Sequence, residues 1–141
     1  MSLKSAIRTA ALAYPGLTAL LGTSPFPWWD TRKPQGSPIP CVTVQIISGG
    51  PTYTVAGRLP TGWSRVQFTI WGSGSDSSNA LAVETQLLAF FDQLNLIGIS
   101  DLAQYPANVK LQLDAMDPQT VPPTFQRIVD AEIFSNSKIT G

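Results

Sequence analysis

WSRVQFTIWGSGSDSSNALAVETQLLAFFDQL, residues 63–94, changes its period halfway along. Val66, Phe68 and Ile70 alternate with Arg65, Gln67 and Thr69, the two-residue period of a strand with one face in a core. A slip of one residue would exchange the two faces. Beyond Trp71 and a Gly/Ser-rich turn, Leu81, Leu87, Leu88, Phe91 and Leu94 recur at helical spacing and form a broad apolar stripe. Ser75 or Asp76 is placed to cap this helix, because each side-chain oxygen accepts a free backbone N–H. A strand therefore feeds directly into an amphipathic helix, and no catalytic motif lies near either.

Working outward, Leu3, Ile7, Ala10, Ala11 and Tyr14 follow helical spacing from a cap at Ser2. Pro15 interrupts them at a position suited to start a further turn, and Leu17, Leu20 and Leu21 prolong the apolar face until Gly22 ends it. Residues 23–40 carry five prolines, at 25, 27, 34, 38 and 40, which deny the backbone both helix and central-strand geometry. They read as a long irregular loop. Val42, Val44 and Ile46 then alternate with Thr43 and Gln45 as a half-buried strand until Gly49, Gly50 and Pro51 stop it. Residues 52–62 have no strong period, and the span 49–62 reads as an extended arm or hairpin.

Downstream, Val109, Leu111 and Leu113 alternate with Lys110, Gln112 and Asp114 in a third strand, and residues 125–134 make a fourth. The proline-rich turn between them, 117–123, joins the two as an antiparallel hairpin. The predicted fold is α+β, a small, mostly antiparallel four-stranded sheet packed by two main helices. The order is helix, strand, strand, helix, strand, strand, with long irregular loops. At 141 residues the whole chain, 1–141, is expected to form one domain.

Composition narrows the function classes. Nine Lys plus Arg balance nine Asp plus Glu, and charged residues make up 13%, against about 25% in ordinary soluble domains. So uncharged a surface repels copies of itself weakly and suits a protein that works inside an assembly. With no histidine and one cysteine, neither an intrachain disulfide framework nor the usual zinc ligand sets can form. Cys41 opens an apolar run, 41–47, and reads as a buried structural thiol, since no histidine can activate it. No stretch reaches about 18 apolar residues, so no membrane partner is expected.

The layout resembles the tail completion and tail terminator proteins of tailed bacteriophages, which join heads to tails at the neck. The residues that carry the likeness are the opening apolar helix over 3–21, the strand over 40–47 after a proline-rich loop, VQFTIWG at 66–72 followed by the helix at 75–94, and the closing strand at 127–134. The resemblance implies a structural virion subunit, made in the host cytoplasm, that assembles as a homo-hexameric ring at the head-proximal end of the tail. It implies the tail tube protein and the head–tail connector or neck proteins as partners, and DNA passing through the pore without sequence-specific binding. It implies no enzyme activity and no cofactor. Within this class, tail termination and other neck or head-closure roles stay open. Outside it stand a monomeric binding module that uses the tryptophans of the proline-rich loop, and an enzyme, whose convergent reactive groups cannot be assembled from these residues.

Trp28 and Trp29, adjacent in the proline-rich loop, cannot easily both enter one core; one anchors a partner, or both cover the edge of the subunit's own core. Arg58 in the arm and Trp63 at the start of the second strand complete the candidate interface, although Trp63 and Trp71 also suit sheet-end packing. Arg65, Gln67 and Thr69 are the candidate pore- or neighbour-facing residues. A DNA conduit would see Arg58, Arg65 and Lys110, but the neutral charge favours solvated or ion-paired roles for them. The Gly/Ser-rich 72–78 lacks a phosphate-loop lysine and reads as a turn. Asp114, Asp117, Asp130 and Glu132 read as solubilising charge at a hairpin rather than paired catalytic carboxylates.

Overall fold

The computed structural model describes residues 3–23, 26–30, 40–49, 53–54, 57–58, 61–73, 78–92, 108–117 and 124–136. Its elements run α1 Leu3–Leu12, α2 Pro15–Leu21, β1 Trp28–Asp30, β2 Cys41–Gly49, β3 Tyr53–Thr54, β4 Gly57–Arg58, β5 Thr61–Ser73, α3 Ser78–Asp92, β6 Asn108–Asp117 and β7 Thr124–Asn136. The fold is α+β, with the helices packed on one face of the main sheet.

The opening helix is two helices. Pro15 has no N–H to donate and its ring pushes Tyr14 into extended geometry (φ −99°, ψ 109°), so α1 stops and α2 restarts with proline in its first turn. The Tyr14 carbonyl then accepts hydrogen bonds from the Leu17 and Thr18 N–H groups, at 3.1 and 3.2 Å. Gly22 ends α2 at φ 87°, where a side chain would be strained.

The main sheet has five strands in the order β1-β2-β5-β7-β6, one more than predicted. The added strand is β1, drawn from the proline-rich stretch and paired parallel to β2 through Trp28↔Val42, Trp29↔Thr43 and Asp30↔Val44. Prolines do exclude central-strand geometry, but an edge strand needs hydrogen bonds on one side only. The Pro27 carbonyl accepts from the Val42 N–H at 3.0 Å, using the group that proline retains. The other neighbours are antiparallel. Within the arm, β3 and β4 form a separate two-stranded hairpin.

The alternation read from β5 holds. Val66, Phe68 and Ile70 are fully buried, while Arg65, Gln67 and Thr69 sit on the other face. Val44↔Phe68↔Val129 and Ile46↔Val66↔Ala131 make apolar rows across three strands on the helical side. In β6 the expected alternation breaks. A bulge between Val109 and Leu111 changes the parity, so Val109 lies opposite Ala131 but Leu111 and Leu113 lie opposite Asp130 and Ile128, in the rows of the other face.

The stripe on α3 is also rotated from its predicted phase. Ala80, Val83, Glu84, Leu87, Phe90 and Phe91 face inward, Leu88 packs partly against the core, and Leu81 is 41% exposed. The inward set keeps 3.6-residue spacing, and its starting point is decided by close approach. A Cβ on Gly72, near the end of β5, would lie 2.9 Å from the Ala80 Cβ, so the helix begins its packing with its smallest residue. The expected cap at Ser75 or Asp76, and Leu94, lie outside the described residues.

Candidate assembly surface

The face of the sheet turned away from the helices is built by register. Trp29, Thr43, Thr69 and Ile128 are successive cross-strand partners, and the next row runs Gln45, Gln67, Asp130. Hydroxyl and amide side chains therefore dominate its centre. The Trp71 indole N–H donates to the Thr43 hydroxyl at 3.2 Å, which closes one end of the rows. Arg65, opposite Glu132, is the cation of this face, and its Nη2 donates to Asp130 Oδ2 at 3.0 Å. The two partners are unequal, because the Arg65 side chain is 41% exposed while the Asp130 side chain is 4% exposed. Asp130 Oδ1 and Arg65 Nε are buried without a hydrogen-bond partner.

The helical side carries a second ionic group. The Arg127 Nε donates to Glu84 Oε2, its Nη1 donates to Asp114 Oδ1 at 2.6 Å, and Gln112 Nε2 donates to the same Glu84 oxygen at 3.2 Å. The hydrogen bond from Glu84, then that from Asp114, holds the Arg127 pKa above its ordinary value, against the opposing effect of burial. This group ties α3 to β7 and β6, a structural duty.

The candidate residues divide accordingly. Arg65, Gln67, Thr69 and Trp29, all half-buried, share the face turned away from the helices. Trp28 does not. At 1% exposure it is core, stacked on Phe26 with ring centroids 5.8 Å apart and edge-on to Phe68 at 5.9 Å, so its assignment as a partner anchor is corrected. The Arg8 guanidinium lies 5.5 Å from the centre of the Phe26 ring and donates to the Trp28 carbonyl at 3.4 Å, fastening this segment to α1. Strand alternation sends the two adjacent tryptophans to opposite faces. Arg58 pairs with Tyr53 in the small hairpin and Trp63 with Phe134 toward the end of the β5–β7 ladder; these are backbone positions, and both side chains lie outside the described residues.

Asp130 is likewise corrected, from solubilising charge to a buried ion-pair partner. Its alternation with Val129 and Ala131 placed it on the outer face, but its burial depends on Arg65, 65 residues away in sequence. Glu84 offered a signal that was missed, a carboxylate within the apolar phase of α3. Cys41 is buried, as read. Among the described residues no cluster of three or more His, Cys, Asp or Glu could hold a metal ion, and no helix is long and apolar enough to cross a membrane.

A five-stranded mixed sheet with a helical layer on one face, and hydroxyl and amide side chains at the centre of the other, defines the class of fold. Neither a protein-family model nor a curated protein matches the chain in sequence. Among solved structures, a chain in the virion of a native gene transfer agent (GTA) particle superimposes with a TM-score of 0.59 at 12% identity. The match covers 95% of this chain and 96% of that one, so the two share the fold from end to end.

Proposed function

We propose that this chain is a structural virion subunit that forms a ring at the head-proximal end of a phage-type tail, terminates the tail tube and joins it to the head. The end-to-end fold match to a chain in a gene transfer agent virion is the observation that carries this reading. The low charge and the hydroxyl and amide side chains at the centre of the sheet face turned away from the helices support it, since such a surface suits association. The work done is geometric. Each subunit contacts the next through two different surfaces, and the rotation between them closes a ring, with six copies expected. Trp29, Arg65, Gln67 and Thr69 on the face turned away from the helices, with Arg58 and Trp63 at the arm end, are the proposed contacts to neighbours, to the tube or to the pore. The rival reading, a monomeric binding module, is weakened by the burial of Trp28, which leaves its loop one anchor fewer.

The test is electron microscopy of particles produced without this gene, with complementation as control. Full heads separated from tails, above all tails of uncontrolled length, are expected. Infectious particles with normal tails would overturn the assignment.

A further inference from the structure

We propose that Asp130 is a positioning residue, buried on the face turned away from the helices to aim Arg65 at a carboxylate of a second copy of this chain. The inference rests on the ring reading above and names one contact within it.

The ion pair is poorly built for stability alone. Asp130 is 3% exposed, yet one of its oxygens and the Arg65 Nε are buried without partners, and each such group keeps a desolvation cost that no hydrogen bond offsets. Apolar residues of similar volume generally replace a buried ion pair at little or no loss of stability. The arrangement does fix direction. A free arginine samples many rotamers, whereas one Nη2 hydrogen bond at 3.0 Å and a buried Nε leave Arg65 with its remaining donors presented from a side chain that is 41% exposed.

The chemistry of the face selects the occupant. Among the described residues of this face Arg65 is the one cation, set opposite Glu132 and beside hydroxyl, amide and apolar side chains, and one cation provides too few phosphate contacts to hold a nucleic acid. It matches a single carboxylate, and this chain supplies two on other surfaces. Asp30 on the edge strand β1 and Asp92 at the end of α3 are both exposed and make no hydrogen bond or ion pair among the described residues. A cation on one surface and unpaired acids on different ones is the complementarity that a heterologous, ring-closing contact requires.

The experiment complements the gene deletion with variants, scores joined particles by electron microscopy, and measures the thermal stability of each purified chain. Arg65→Met with Asp130→Leu is expected to melt within a few degrees of the wild type yet to reduce joined particles about tenfold or more. Arg65→Lys, which keeps the charge and the partner but loses the planar fork, is expected to fold normally and assemble at an intermediate level, and it carries the test if the double variant does not fold. Arg65→Glu should abolish joining, and Asp30→Lys or Asp92→Lys in the same chain should restore it. A stable double variant that joins heads and tails as the wild type does would overturn the inference while leaving the ring intact. Unchanged joining by Arg65→Lys together with no rescue by either lysine would also overturn it. A deletion that leaves normal particles would instead overturn the ring reading.

Discussion

Replacing Trp28 by alanine separates the two roles that a tryptophan in a proline-rich stretch can have. The indole is 1% exposed and contacts Phe26 and Phe68, so its removal opens a large cavity in the core beside Phe68 of β5. Truncations of this kind cost about 3–5 kcal/mol. For 141 residues, an unfolding entropy of about 2.1 cal/mol/K per residue sums to roughly 0.3 kcal/mol/K, which converts that loss to a fall in Tm of about 10–17 °C. Trp28→Phe should lose only about 1–2 kcal/mol, because the smaller ring also removes a buried, unpartnered indole N–H whose desolvation costs about 1–3 kcal/mol. Denaturant unfolding with linear extrapolation measures both. Hydrogen exchange adds a local readout, since the Val42 N–H is bonded to the Pro27 carbonyl and should exchange faster once β1 loses its anchor. A shift of less than about 3 °C for Trp28→Ala, with normal protection at Val42, would refute the core assignment and restore Trp28 as a partner contact.

Gly72→Ala should destabilise by about 1–3 kcal/mol, since its new methyl would meet the Ala80 Cβ at 2.9 Å; Ala80→Gly in the same chain should recover part of the loss, measured by chemical denaturation. On α3, Leu81→Lys should stay within about 0.5 kcal/mol of the wild type while Leu87→Ala loses about 2–5 kcal/mol. Thermal melts that ranked the two leucines the other way would disprove the observed phase of the helix.

Local pattern carried much of this architecture. Strict alternation in Val66, Phe68 and Ile70 decided which face of β5 enters the core, because pleat geometry puts successive side chains on opposite sides. Pro15 and Gly22 marked helix boundaries through backbone chemistry that acts within a few residues. Low charge and the absence of histidine narrowed the function classes through composition alone.

Tertiary structure decided what depends on neighbours remote in sequence. Three residues of a proline-rich stretch became a strand because the edge of β2 offered hydrogen bonds to them. A single bulge moved Leu111 and Leu113 out of their expected row, and the approach of Gly72 to Ala80 turned Leu81 outward. Asp130 became buried because the β5–β7 ladder brought Arg65 over it. Periodicity acts between near neighbours and can be read along a chain; register, close approach and ion pairing join segments far apart in it, and their partners exist only once the sheet has formed.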